Sequence, residues 1–197
     1  MTRHITHLLA VPAIVLTLSG CGINSVPTKE EAAKAAWANV EAAYQRRADL
    51  IPALVETAGA FMKQEKGVLV GVTEARAKAN SVTLSAEDLT DPAKVAAYQE
   101  AQNGVSVALG NFRQLQEAYP QLQSNTLMAD LMTQLEGSEN RINRERGLYN
   151  EAVQDYNTTI RTFPDAIGAK IIHGAKPMTP FKAAAGAEKA PTVKFDN

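Results

Sequence analysis

The apolar residues of this chain recur at seven-residue intervals over long segments, a spacing that predicts helices packed side by side. From residue 29 to about residue 65, one column of positions repeats every seven residues and a second column follows it by three. Two columns offset in this way form the seam along which helices pack at a shallow angle. The first column is Trp37, Tyr44, Ile51 and Ala58, and the second is Val40, Arg47, Leu54 and Phe61.

Three later segments continue the pattern, over residues 68–82, 93–118 and 124–162. The last of them holds an unbroken column of Met128, Leu135, Ile142, Tyr149, Tyr156 and Phe163. Because short connections favour antiparallel neighbours, we predict an all-α protein, an elongated antiparallel up-and-down four-helix bundle over residues 30–164. A parallel coiled-coil oligomer is the competing architecture, but proline-bearing breaks between the segments favour packing within one chain.

The pattern is interrupted once and then ends. Pro52 lies inside the first segment, and proline in a helix interior usually kinks or breaks the helix. Both columns keep their register across it, so we predict one long kinked helix, with a break at residues 49–52 as the alternative. Residues 81–92 read as a loop or capping region. Residues 165–197 have no apolar period and are predicted to form an irregular tail on one end of the bundle, with a short helix near 165–172.

The N-terminal residues carry a targeting signal. Residues 1–20 combine a basic start, an apolar stretch too short to span a bilayer and small residues at the end. Leu18-Ser19-Gly20-Cys21 resembles a bacterial lipobox, which implies that Cys21, the single cysteine, becomes the acylated first residue. Residues 21–29 would then be a lipidated tether that reaches about 15 Å if flexible. An ordinary signal peptide with a buried free cysteine and an uncleaved anchor helix are the alternatives.

Charge and histidine content narrow the function. A formal net charge of −1, with both signs interspersed, argues against nucleic acid as a partner. Of the histidines, His4 and His7 belong to the signal and His173 lies alone in the tail. No nucleophile–base pair, zinc set or di-iron motif can be assembled from them. We therefore predict no cofactor, no metal and no enzymatic activity.

One charged residue falls within the apolar seam. Arg47 lies between Val40 and Leu54 in the second column, and a buried charge is tolerated only when it is paired. We predict that Arg46 or Arg47 meets Glu139 across the first and last helices and fixes their register. The alternative is that these long side chains reach solvent at the bundle surface.

Tyrosine–asparagine pairs repeat one heptad apart in the last segment. Tyr149 and Tyr156 continue the apolar column, so they are predicted to be core residues whose hydroxyls reach its edge. Asn143, Asn150 and Asn157 form a ladder beside that column. Asparagine is a mediocre helix former, so the ladder indicates either interhelical hydrogen bonds or a partner-binding face.

Several stretches resemble the LemA family of bacterial envelope proteins. They are Tyr44-Gln-Arg-Arg-Ala-Asp-Leu-Ile-Pro-Ala-Leu-Val-Glu-Thr57, Glu74-Ala-Arg76, Glu139-Asn-Arg-Ile142, Tyr149-Asn150, Tyr156-Asn157, Phe163-Pro164 and the tail from Phe181 to Asp196. The resemblance implies a helical antiparallel bundle outside the cytoplasmic membrane, tethered at its N-terminus. The family has no settled biochemical activity. Many members look as though they keep a membrane-spanning helix, whereas this chain carries a lipobox, and Gly22 after the cysteine suggests an outer membrane if the cell has one.

We predict a non-enzymatic, lipid-anchored envelope protein whose bundle is a scaffold or partner-binding module near the bilayer. It would lie on the periplasmic face of the outer membrane in a Gram-negative cell, and otherwise on the outer face of the cytoplasmic membrane. Its expected partners are the membrane, through the lipidated N-terminus, and an envelope protein of unknown identity. A carrier of an apolar ligand or lipid is the alternative, although the nearly complete seam disfavours a large cavity.

A cell-wall hydrolase that uses paired carboxylates is a third hypothesis. Its candidate residues are Glu136, Glu139 and Glu145, although charged residues on a helix usually form a solvated face. The structural or partner-binding candidates for the favoured function are Arg46, Arg47, Glu139, Arg141, Tyr149, Asn150, Tyr156 and Asn157.

Overall fold

The computed structural model describes the backbone of residues 2–182 and the side chains of residues 24–182, and all regular structure in this part of the chain is helical. The long helices are α1 (Thr2–Phe61), α2 (Lys66–Ser81), α3 (Pro92–Gln116) and α5 (Thr126–Thr159), and the short ones are α4 (Pro120–Gln123) and α6 (Asp165–Gly168). A 3-10 turn covers Ala86–Thr90 and a π-helical turn covers Ala169–His173. The prediction of an all-α protein is confirmed.

The two longest helices, α1 and α5, pack against each other and are antiparallel. Lys29 Nζ lies 3.1 Å from Asp155 Oδ2, and Arg47 Nη1 lies 2.8 Å from Glu139 Oε1. Residue numbers therefore rise along α1 as they fall along α5. The shorter α2 follows α1 after a brief loop and packs mainly against α3.

The predicted seam forms the core. From Trp37 to Ala58, both columns of α1 are at most 5% exposed. The α5 column from Met128 to Tyr156 is at most 3% exposed. Because burial of one large apolar side chain contributes about 1.5–3 kcal/mol, these columns are a main source of stability. They form two clusters along the molecule, one around Trp37 and the other around Phe112.

Two seam positions were predicted wrongly, both at helix ends. Phe61 is 36% exposed because α1 ends there, and Met62, which is fully buried, takes the core position. Phe163 is 77% exposed because α5 ends at Thr159, before the sixth position of its column. The seven-residue apolar spacing thus continues in the sequence past the last residues that these helices bury in the core.

Side-chain caps fix where α3 and α5 begin. The Asp91 carboxylate accepts a hydrogen bond from the backbone N–H of Ala93 at 2.9 Å. The Asn125 side chain accepts one from the N–H of Met128, also at 2.9 Å. Such caps satisfy N–H groups that have no partner inside the helix. The capping region predicted at residues 81–92 is confirmed.

Helix α1 continues through Pro52. Proline has no N–H, so the carbonyl of Ala48, four residues earlier, lacks its usual helical partner. The Nε–H group of Arg76 on α2 donates to that carbonyl oxygen at 2.7 Å. The part of the prediction that concerns continuity is confirmed, since the helix does not break at residues 49–52. A neighbouring helix supplies the hydrogen bond that Pro52 cannot.

We expect the contribution of Arg76 to the free energy of unfolding to depend on the presence of Pro52. Arg76→Met should lower the free energy of unfolding by about 1–2 kcal/mol, because it leaves the Ala48 carbonyl unpaired. In a Pro52→Ala background the restored N–H at position 52 can bond that carbonyl, so the loss should largely disappear. Urea unfolding of the four proteins measures this difference. An equal loss in both backgrounds would show that Arg76 acts elsewhere.

The segment predicted as a tether, residues 21–29, belongs to helix α1. Ser25 Oγ donates a hydrogen bond to the Asp165 carboxylate, and Val26 is fully buried in the cluster around Trp37. A flexible reach of about 15 Å is therefore wrong for residues 24–29, which are packed against the rest of the protein. The side chains of residues 1–23, including Cys21 and the predicted signal, lie outside the described residues.

The C-terminal segment is more ordered than predicted. Helix α6 and the π-helical turn confirm the short helix expected near residues 165–172. Gly174, with a φ of 57°, then turns the chain in a conformation that favours glycine. Residues 174–182, here called the strap, lie against α5 and have no helical or strand structure. The predicted tail beyond residue 182 lies outside the described residues.

Candidate functional site

A buried guanidinium group joins three helices. Arg47 on α1 is only 1% exposed. Its Nη1 donates to Glu139 Oε1 on α5 and to Ser106 Oγ on α3, both at 2.8 Å. Its Nη2 donates to the side-chain oxygen of Gln102 at 2.8 Å and to the Gln102 carbonyl at 3.1 Å. The predicted pairing of Arg47 with Glu139 is therefore present. We call Arg47, Gln102, Ser106 and Glu139 the polar layer.

The ring of Tyr44 covers the same charge. The Arg47 Cζ atom lies 5.1 Å from the ring centroid, within cation–π range. Burial raises the pKa of the Tyr44 hydroxyl, and the nearby positive charges of Arg146 and Arg47 partly offset this rise. The Glu139 side chain is 32% exposed, so one edge of the polar layer meets solvent. The layer links α1, α3 and α5 through hydrogen bonds to one buried guanidinium group.

The other charged candidates are not in this layer. Arg46 and Arg141 are both exposed. Gln102 and Ser106 were missed in the sequence, although their four-residue spacing on α3 places them on one helix face. Gln102 and Ser106 are polar, as ordinary surface residues are, so nothing in their own sequence marks them as buried. Only the position of Arg47 in the seam indicates that its guanidinium needs hydrogen-bond partners.

The strap is held by asparagine side chains that pair with its backbone. Asn150 accepts from the N–H of Phe181 at 2.8 Å and donates to the Phe181 carbonyl at 3.0 Å. One heptad further along, Asn157 forms the same pair of bonds with Met178, at 2.9 and 2.8 Å. Asn143, the third member of the predicted ladder, is exposed. Two members of the ladder therefore bind a segment of their own chain.

The apolar side chains of the strap enter the core. Met178 and Phe181 are 4% and 5% exposed. The Phe181 ring stacks on Trp37 with a centroid separation of 5.9 Å and meets Tyr149 edge-on at 5.3 Å. The Tyr149 hydroxyl donates to the Thr179 carbonyl at 3.0 Å, and burial raises its pKa. Tyr149 is thus a core residue whose hydroxyl reaches the strap.

Further contacts fix the end of the strap. The Gln99 side chain pairs with the backbone N–H and carbonyl of Lys182, and Arg146 Nη2 donates to the same carbonyl at 2.9 Å. The Arg146 guanidinium also lies 5.0 Å from the centroid of the Phe181 ring. Tyr156, at 2% exposure, is buried as predicted. The strap is thereby joined to α3 as well as α5.

The three carboxylates considered for hydrolysis have different surroundings. Glu139 is paired with Arg47, and Glu136 is exposed. Glu145 is 9% exposed and accepts a hydrogen bond from Arg144 at 3.1 Å. Within residues 24–182, no group of three or more His, Cys, Asp or Glu side chains is placed to hold a metal ion.

Several concave regions lie on the described part of the protein. An open cleft of about 680 Å³ lies between α1 and residues 82–88, and its lining includes Glu41, Gln45 and Asn80. Burial raises the pKa of the Glu41 carboxyl. A second cavity of about 180 Å³ lies between α3 and α5. Two further hollows of about 540 and 620 Å³, beside Asn157 and Ala169, are mainly apolar but open to solvent. Small-molecule sites usually enclose most of an apolar ligand in about 300–1,000 Å³, so the cleft is too polar, these hollows are too open and the cavity is too small.

The long helices, the buried polar layer and the asparagine-held strap define an all-helical protein whose distinctive polar residues join its own segments. The chain belongs to the LemA family, since the model of that family matches residues 36–195. The matched range contains the polar layer and the strap. A comparison with curated proteins finds no match. No helix within the described part of the chain has the length and apolar character needed to cross a membrane.

Proposed function

We propose that this chain is a lipid-anchored protein of the cell envelope, whose helices form an elongated antiparallel four-helix bundle that serves as a non-enzymatic scaffold or partner-binding module. The anchor is an acylated Cys21. The location is the periplasmic face of an outer membrane where the cell has one, and otherwise the outer face of the cytoplasmic membrane. The partner is another envelope protein, not nucleic acid.

The position of Cys21 relative to the packed core carries this proposal. Cys21 ends a lipobox-like stretch, and Val26, five residues later in the same helix, is already fully buried. Five residues of α-helix span about 8 Å. A lipid on Cys21 would therefore hold one end of the bundle close to the bilayer surface.

The contacts of the polar residues support a scaffold role. The polar layer and the asparagines at positions 150 and 157 are used to join segments of the chain. Arg46 and Arg141 are exposed instead, and they are the proposed contact residues for an envelope partner. A lipid carrier is not proposed, because the apolar hollows of about 540 and 620 Å³ are open to solvent and the more enclosed cavity between α3 and α5 holds only about 180 Å³.

Metabolic labelling with a palmitate analogue tests the anchor. We expect the wild-type protein to incorporate the label and Cys21→Ser to incorporate none, because the lone sulfur is the only cysteine attachment point. Ser19→Ala keeps a small residue before the cysteine and is the matched control, which should be labelled like the wild type. A wild-type protein without label, or equal labelling of Cys21→Ser, would show that acylation at Cys21 is not the anchor.

A further inference from the structure

Large apolar side chains are exposed together near the C-terminal end of α5. Phe163, Ile167, Ile171 and Ile172, which we call the apolar end, are 77%, 54%, 78% and 58% exposed. Ile167 in α6 and Ile171 in the π-helical turn that follows it are four residues apart, and Phe163 lies in the turn that precedes α6. Residues four apart lie on one side of a helix. A contiguous exposed apolar patch usually marks a surface that contacts something else.

The apolar end lies beside the start of the packed part of α1. Ser25 on α1 donates a hydrogen bond to Asp165, which lies between Phe163 and Ile167 in the sequence. Val26 and Ala169 also belong to one core cluster. Cys21 lies four residues before Ser25 in the same helix, a rise of about 6 Å.

Exposed positively charged residues flank and interrupt these apolar residues in the sequence. Arg161, Lys170 and Lys176 are all exposed. Asp165, the acidic residue of the segment 161–176, is half-buried and accepts the hydrogen bond from Ser25. Exposed Phe and Ile side chains with lysine and arginine beside them are typical of segments that lie in the interface of an anionic bilayer.

We propose that the apolar end docks on the surface of the bilayer to which Cys21 ties the chain, with its basic neighbours contacting anionic lipid headgroups. This docking rests on the proposed lipid anchor. The lipid and the apolar end then form two contacts with the same membrane, which together fix the orientation of the protein. Helix α5 begins at Thr126, about 50 Å along its axis from Thr159, so the opposite end points away from the bilayer.

Depth measurements on the acylated mature protein, from Cys21 to Asn197, test this orientation. A single cysteine introduced as Ile171→Cys carries an environment-sensitive fluorophore, since acylated Cys21 has no free thiol to react. Leu127→Cys is the matched control, because Leu127 is also a large exposed side chain, at 58%, and lies at the start of α5. Both proteins are reconstituted into vesicles of phosphatidylcholine with anionic phosphatidylglycerol.

We expect the fluorophore at position 171 to be quenched by a lipid-borne quencher and protected from a quencher dissolved in water. The fluorophore at position 127 should behave in the opposite way. Removing the anionic lipid, or reversing charge with Lys170→Glu and Lys176→Glu, should reduce the protection at position 171.

Two outcomes would overturn the docking. Equal access of the aqueous quencher to positions 171 and 127 would place the apolar end in water, even in a protein that palmitate labelling shows to be acylated. Protection of position 171 from both quenchers would mean that protein covers it, either residues 183–197 or a second copy. Loss of palmitate labelling would instead refute the anchor, so the two failures are distinguishable.

Discussion

Replacing Arg47 by methionine should lower the free energy of unfolding by about 3 kcal/mol, because it breaks a buried ion pair from one side. The guanidinium at this position is almost fully buried and donates to three residues. Its removal leaves the Glu139 carboxylate without a counter-charge and takes one hydrogen-bond partner from Gln102. Because Glu139 is about one-third exposed, water can offset part of this loss, which places the expected value at the lower end for a broken buried pair.

Glu139→Leu should have a similar effect for the opposite reason. It leaves a buried positive charge that still has neutral acceptors in Gln102 and Ser106 but no anion. The double variant replaces the whole pair by apolar side chains, which is often close to neutral. We therefore expect the double variant to be no less stable than either single one, which corresponds to a coupling of about 3 kcal/mol or more.

Urea unfolding of the wild type and the three variants measures this coupling. Arg46→Met is the control, since Arg46 is the exposed neighbour of the same residue type, and its effect should stay within about 0.5 kcal/mol. Additive effects of Arg47→Met and Glu139→Leu would mean that the two charges do not stabilise each other.

Replacing an asparagine that binds the strap should give the second large loss of stability. Asn150→Ala and Asn157→Ala each delete two hydrogen bonds to the strap backbone and leave an N–H and a carbonyl without partners. At about 1 kcal/mol for each bond, each variant should lose about 2 kcal/mol of stability. For a protein of this length that corresponds to a decrease in Tm of about 4–8 °C.

Asn143→Ala is a matched control for the same helix and the same substitution. Asn143 lies one heptad before Asn150 but is exposed, so its replacement should change Tm little or raise it slightly through better helix propensity. Thermal unfolding followed by circular dichroism measures all three variants. Equal Tm values for Asn143→Ala and Asn150→Ala would contradict the importance of the strap contacts.

Much of the fold follows from the positions of the apolar residues along the sequence. The columns of α1 and α5 were predicted because a seven-residue apolar period persists wherever two long helices pack together. The presence of Arg47 in such a column also indicated a partner of opposite charge, and the sequence predicted that Arg46 or Arg47 meets Glu139. The seven-residue period also extends towards the N-terminus. Val26 and Ala33 continue the column of Val40 at intervals of seven, and this pattern indicates that the segment 24–29 is packed helix and not tether.

Other features leave no period in the sequence. The strap is fixed by hydrogen bonds between side chains and backbone, and these depend on where Met178 and Phe181 come to lie rather than on any spacing. The bond from Arg76 to the carbonyl of Ala48 depends on how α2 packs beside α1. Helix ends were also misplaced, because the apolar column runs on to Phe163 although α5 stops at Thr159.

The proposed scaffold role depends on the contacts that hold the helices together and on the short distance between Cys21 and the core. The polar layer and the strap give the helical body one arrangement, and the start of the packed core lies close to Cys21. Because the segment between Cys21 and the core is short and helical, a protein anchored there can hold a partner at a fixed distance from the bilayer. This conclusion depends on the acylation of Cys21, since an unacylated chain would have no fixed distance from the membrane.

Intact mass measurement of the wild-type protein purified from the cell envelope tests that acylation most directly. We predict the mass of the chain from Cys21 to Asn197 plus a diacylglyceryl group and a fatty acyl group, with no uptake of maleimide after denaturation. A chain that retains residues 1–20, or an unmodified mature chain that takes up maleimide at its cysteine, would contradict the lipid anchor.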